Sequence, residues 1–159
     1  MDAVQESKGS SALGNRIEYN LIDNVNGNIQ QVSMVGGMPI SYVWGYNKTL
    51  PVAKLENIAY ANIPSNLITN IQTITNSPTA TETEIQAALD ALRLSTDPNM
   101  QKALITTYRY KPLVGVTNIT DPKGDSTTYR YDDFNRLIKV YDSQGNPVSE
   151  NEYHYRTQN

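Results

Sequence analysis

The sequence contains no cysteine and one histidine, His154. The first absence excludes disulfides, thiolate zinc sites and cysteine nucleophiles. With one histidine, any Cys-His or Ser-His-Asp arrangement would need His154 as its base. No Gly-x-Ser-x-Gly elbow supplies a serine for it. No phosphate-cradling loop or dinucleotide fingerprint is present, and His154 has no carboxylate pair beside it at ligand spacing. No apolar run approaches the ~20 residues of a membrane-spanning helix. Met1 to Gly14 holds no apolar stretch of the kind a signal peptide needs. Basic residues are few and scattered: 13 against 16 acidic, for a net charge of −3 and a pI near 5.1. That balance argues against a nucleic-acid partner. Phenylalanine and tryptophan occur once each, against 11 tyrosines, and apolar residues make up 38% of the chain. Tyrosine must therefore supply much of a modest core in a chain of single-domain length.

Three zones follow a lead-in over residues 1–14, rich in Gly, Ser and Gln and read as flexible. Residues 15–57 read as strands. Arg16 to Ile22 is closed by a turn cluster from Asp23 to Asn28, Ile29 to Val35 alternates, and Gly36-Gly37 marks a tight turn. Tyr42, Trp44 and Tyr46 then recur at every second position, which on a strand places them on one face. Residues 59–104 read as helical. Leu67, Ile68, Ile71 and Ile74 form one stripe, with Ser65 as its candidate cap. Thr81 and Glu84 have capping-box spacing ahead of a second stripe, Ile85, Ala88, Leu89 and Leu92. Asp97-Pro98 suggests a further short helix toward Leu104. Helices of this kind are expected to pack on a sheet face.

Residues 105–159 return to strands and carry a repeat. Tyr108-Arg109-Tyr110 recurs as Tyr129-Arg130-Tyr131. Asp121-Pro122-Lys123-Gly124 aligns with Asp142-Ser143-Gln144-Gly145 at the same 21-residue offset, and Tyr153-His154-Tyr155 follows. Each unit reads as strand, turn, strand. The paired tyrosines share a face, so stacked units would build a tyrosine ladder. Arg109 and Arg130, between tyrosines, suit a cross-strand cation–π or ion-pair role. Units of this kind bury their apolar face against neighbours, and two or three copies hint at a longer parent.

Tyr131-Asp132-Asp133-Phe134-Asn135-Arg136-Leu137, followed by Val140-Tyr141-Asp142-Ser143-Gln144-Gly145-Asn146, closely resembles the YD repeat of bacterial RHS proteins. Asn135 stands where that pattern has Gly, and Asn is the next-best residue at a left-handed turn position. Tyr19 to Asn28 resembles a degenerate copy. The Tyr42 to Asn47 and Asn151 to Tyr155 segments are similar to the C-terminal portion of an RHS subgroup. The resemblance implies hairpins that build a long sheet spiralling into a hollow shell, as in insecticidal toxin complexes and animal teneurins. Such shells are large, exported or surface-attached, and often enclose a C-terminal toxin; no toxin domain is expected within these 159 residues. It also implies that Asp121 to Gly124 stands near a position where some relatives cleave themselves. The relatives' upstream proline is replaced by Val116, so the segment is read as a turn.

The expected fold is thus β-rich α+β: a single domain over residues 15–159, with antiparallel YD-type hairpins in a curved sheet and a helical insertion at about 59–104. The repeat-structural positions are Tyr108, Tyr110, Asp121, Gly124, Tyr129, Tyr131, Asp132, Arg136, Asp142, Gly145, Tyr153 and Tyr155. Asp132 and Asp133 are adjacent and read as turn caps rather than an acid/base pair. His154 reads as a solvent-facing strand residue. No catalytic residue, metal or cofactor is expected. Three functions remain open. One is the terminal part of an exported RHS shell, joined through its sheet edges to the rest of a longer polypeptide or to another protein. Another is a carbohydrate-binding module using Tyr42, Trp44 and Tyr46. The third is an orphan cytosolic interaction or immunity-like protein, if Met1 is a native start. Asn47-Lys48-Thr49, Asn118-Ile119-Thr120 and Asp125-Ser126-Thr127 match glycosylation patterns, with turn serine or threonine as the default reading.

Overall fold

A computed structural model describes residues 3–6 and 14–153. Residues 154–159 lie outside that range, and with them the expectations for His154 and Tyr155.

The chain divides into two compact units, Met1–Thr107 and Tyr108–Asn159. The physical reason is the distribution of the core. Every buried apolar residue among those described precedes Tyr108, from Val43 to Ile105, whereas the second unit buries Asn118 and Thr120 instead.

In the first unit, β1 (Ala3–Glu6), β2 (Gly14–Ile22), β3 (Ile29–Met34), β4 (Pro39–Gly45), β5 (Leu50–Glu56) and the first half of β6 (Leu104–Lys111), residues 104–107, pair in chain order, each antiparallel to the next. Strand β1 occupies part of the expected lead-in, because its backbone pairs with residues 14–18 of β2. Between β5 and β6 lie α1 (Ser65–Asn76) and α2 (Glu82–Arg93), close to the predicted helical bounds. Ile71 in α1 and Ile85, Ala88, Leu89 and Leu92 in α2 are all buried, which is the outcome their spacing predicts.

Thr81 caps α2 in a capping box: its hydroxyl accepts from Glu84 N at 3.2 Å, and the Glu84 carboxylate accepts from Thr81 N at 2.7 Å. The Thr81 N–H first, and then its hydroxyl, donate to the Glu84 carboxylate and hold its pKa below the usual carboxylate value. Ser65 is not a cap. It is the first helical residue, and Pro64 takes the cap position with a fixed φ of −56°. Asp97 opens only a single 3-10 turn, Met100–Lys102, with its Oδ1 accepting from Asn99 N at 2.8 Å. The chain must turn into β6 two residues later, which leaves no length for a helix.

Helix α1 packs on β4. Gly45 permits the approach: a Cβ there would stand 2.5 Å from Thr75 Oγ1 and 2.9 Å from Val52 Cγ1. The register of β4 with β5 shifts between Val43 and Trp44, so Val52 is an extra residue on β5. Val52 and Ala53 are consecutive yet both fully buried, the mark of a bulge.

In the second unit, β7 (Gly115–Thr120), β8 (Ser126–Tyr131), β9 (Leu137–Tyr141) and β10 (Pro147–Glu150) follow one another as antiparallel hairpins. Among the described residues, β10 pairs with β9 alone. The architecture is the predicted β-rich α+β class, with strands that do not close on themselves.

Candidate functional site

The hairpins of the second unit repeat one piece of turn chemistry three times. At the β7–β8 turn, Asp121 Oδ1 accepts from Lys123 N and Asp125 N, both at 2.9 Å. At the β8–β9 turn, Asp132 Oδ1 accepts from Phe134 N and Arg136 N, both at 2.9 Å. At the β9–β10 turn, Asp142 Oδ1 accepts from Gln144 N at 3.0 Å and Asn146 N at 2.8 Å. In each, the Asp N–H donates to the carbonyl four residues on, and the Asp carbonyl accepts from the residue three on. That third residue has positive φ: 97° at Gly124, 60° at Asn135 and 82° at Gly145. The left-handed position at Asn135 is the one expected of it.

The repeat is therefore finer than the 21-residue offset in the sequence. Successive anchoring aspartates are 11 and 10 residues apart, so each 21-residue unit holds two turns of one kind. The middle copy is harder to see because it ends in Asn135-Arg136 rather than Gly. The Asp23 turn is a looser version: its carboxylate accepts from Val25 N at 2.9 Å, and its carbonyl accepts from Gly27 N.

Two of these carboxylates have a side-chain partner as well. Asp132 Oδ2 accepts from Arg136 Nε at 2.7 Å and lies 2.5 Å from Nη2. Asp142 Oδ2 accepts from Asn146 Nδ2 at 3.0 Å. The side-chain bonds first, then the backbone amides, hold both pKa values below the usual carboxylate range. Asp23 is lowered too, chiefly by Lys48 Nζ at 2.7 Å. Every named oxygen is thus engaged in holding a turn. Asp133, in contrast, is exposed.

The tyrosines do not form one continuous ladder. Tyr129 and Tyr131 share a face of β8, and the Tyr131 hydroxyl donates to Val116 O at 2.9 Å over Gly115. Burial raises the Tyr131 pKa. Tyr141 pairs with Thr128 and so lies on the opposite face. Tyr108 and Tyr110 are half-buried in β6. Tyr153 lays its ring 4.3 Å from the Arg136 guanidinium carbon, and its hydroxyl donates to Leu137 O at 3.0 Å. The cation–π contacts seen are thus at Arg136, over Tyr153 and Phe134. Arg130 is exposed and stands opposite Lys139, a like charge, which Glu150 pairs at 2.8 Å. An open groove of about 670 Å³ over β8 and β9 is lined by Ser126, Thr128, Arg130, Lys139 and Tyr141 among others.

The aromatic stripe of the first unit is divided. Ser41, Val43 and Gly45 face the helices and are buried, so Tyr42 and Trp44 lie half-buried on the other face of β4. Trp44 Nε1 donates to Ile29 O at 2.8 Å. Tyr46 has left the strand. It begins a run of three left-handed residues, Tyr46, Asn47 and Lys48, with φ of 50°, 57° and 61°. Three non-glycine residues in that region are strained and need outside support. It comes from the end of α1: Thr75 Oγ1 accepts from Tyr46 N at 3.3 Å and Asn76 Oδ1 from Asn47 N at 2.6 Å. On the other side, Asn28 Nδ2 donates to Lys48 O at 2.6 Å. Tyr46 is a buried anchor between sheet and helix. Alternation alone carried no sign of this, although Gly45 before it marks the end of the strand.

Residues 114–147, which span β7 to the start of β10, match the RHS Repeat family. This stretch is an RHS repeat. The matched stretch holds all three anchored turns. No curated protein matches the chain at a significant level. No helix among the described residues is long and apolar enough to cross a membrane.

Proposed function

We propose that this chain is an architectural segment, the terminal part of an exported RHS-repeat shell, and not an enzyme. The observation that carries the reading is the threefold repetition of one aspartate-anchored turn, with Oδ1 of each aspartate committed to backbone amides. A repeated unit with so little apolar core of its own gains stability from neighbouring hairpins. Strand β10, exposed along its length and paired among the described residues with β9 alone, offers a backbone edge to the rest of a longer polypeptide or to another protein. Tyr42 and Trp44 belong in this reading to the framework, since Trp44 spends its one donor on Ile29 O.

The test is an immunoblot of source cells with an antibody against this segment, with and without protease added to intact cells. A band far above 17.7 kDa that protease removes supports the exported shell. A protected band at that mass contradicts it and favours a cytosolic interaction protein. Retention of the purified chain on immobilised glycans, lost in a folded Trp44→Ala variant, would instead favour the carbohydrate-binding reading.

A further inference from the structure

Leu113 breaks two rules at once. Pro112 and Leu113 are the central residues of the turn between β6 and β7, closed by Val114 N donating to Lys111 O at 3.0 Å. Leu113 has φ of 64°, a position where such turns take Gly or Asn. A bulky side chain there is strained. Its side chain is also fully exposed, at 106%, so no packing inside the described chain offsets the strain. A residue that costs stability in both ways points to a contact outside the chain.

The neighbouring hairpin brings a second apolar tip to the same end of the unit. Lys111 Nζ lies 3.5 Å from Asn135 Oδ1, which joins the β6–β7 turn to the β8–β9 turn. Beside Asn135, Phe134 is 73% exposed. Arg136 and the half-exposed Tyr153 stand behind it, the guanidinium carbon 5.2 Å and 4.3 Å from the two ring centres. Apolar tips backed by a tyrosine ring match the composition of a membrane–water interface, where such rings sit at headgroup depth.

We propose that Leu113 and Phe134 are a membrane-contacting apex that inserts into the headgroup layer of a phospholipid bilayer. The occupant follows from shape and charge. Leu113 and Phe134 project from two adjoining turns, which suits a soft receiving medium. Lys111 and Arg136 are balanced by Asp132 and Asp133 in the same turns, so apolar insertion rather than net charge drives the contact. This inference is independent of the shell reading and stands or falls separately.

The test is co-sedimentation of the purified full chain with phosphatidylcholine vesicles, at low and high salt, beside vesicles containing phosphatidylglycerol. The expected result is partitioning into both, with little salt dependence. Leu113→Gly combined with Phe134→Ser should weaken it at least about tenfold, from the apolar area lost. Leu113→Gly alone should raise the unfolding temperature, because Gly relieves the turn. Leu113→Asn, which keeps the left-handed turn, should also weaken partitioning and guards against a folding artefact. Wild-type protein left in the supernatant would overturn the proposal. So would variants that sediment like the wild type, or binding confined to anionic vesicles and abolished by salt.

Discussion

Asp132 holds Arg136 at two points: Oδ1 accepts its backbone N–H at 2.9 Å, and Oδ2 accepts its Nε at 2.7 Å. One carboxylate thereby fixes both the turn and the first side chain after it. That side chain is the one on which the Tyr153 ring rests. The contact links the β8–β9 turn to the segment after β10 within the second unit, and it makes the two oxygens separable by mutation. Asp132→Asn keeps an acceptor for the amides and loses the ion pair, whereas Asp132→Ala loses both. Thermal unfolding should rank wild type above Asn and Asn above Ala. Equal effects from both variants would mean that the amide bonds contribute nothing.

At Asn135 the backbone is left-handed, with φ of 60°. Asn135→Gly should leave stability unchanged or raise it slightly, and Asn135→Ala should cost about 1 kcal/mol. Denaturant midpoints of the two variants check the sign of each change.

Gly45 lies where any Cβ would meet Thr75 and Val52. Gly45→Ala should destabilise the first unit by about 1–3 kcal/mol through overpacking between β4 and α1. Thr75→Ser together with Val52→Ala should recover part of that loss in a double-variant comparison.

The Trp44 side chain donates one hydrogen bond, to Ile29 O. Trp44→Phe should cost about 1 kcal/mol, the net worth of that bond, and Trp44→Ala about 3 kcal/mol or more. Tryptophan-independent unfolding, followed by circular dichroism, measures both. A Trp44→Ala variant as stable as the wild type would remove the framework role assigned here.

Acid should weaken the hairpins. Asp132 and Asp142 have pKa values below the ordinary 3.8 in the folded chain. The unfolded chain therefore binds protons more readily, and stability rises with pH. Their contribution is fully present above about pH 4 to 5 and is lost as pH falls through the lowered folded values. Unfolding temperatures across this range should drop on the acid side, with a shallower drop in an Asp132→Asn, Asp142→Asn double variant.

Much of the fold was legible because its signals are local. The capping box at Thr81 and Glu84, the stripes through Ile71 and Leu89, and the turn residues Gly124, Asn135 and Gly145 each act within a few positions of themselves. What was hidden depends on partners distant in sequence. Tyr46 looked like the third member of a strand stripe because nothing near it in the chain announces Thr75 and Asn76, which hold it in a left-handed turn. The short period of the turns was obscured at Asp132, where Asn and Arg stand in place of Gly and a small polar residue. Arg136 takes a cation–π role that the repeat spacing did not announce, because Tyr153 reaches it from beyond β10. A finer signal was available: Asp at each turn start, with Gly or Asn three residues later, recurs every 10 to 11 residues.

The account's central claim is that one aspartate-anchored turn, repeated three times, is the chain's working unit. Amide hydrogen exchange at Asp125, Arg136 and Asn146 tests it most directly, because each donates to the Oδ1 of its turn aspartate. The account predicts that all three are protected in the wild type, and that replacing one aspartate by alanine releases the amide of its own turn first. Exchange at unfolded-chain rates in the wild type, at any of the three, would contradict it.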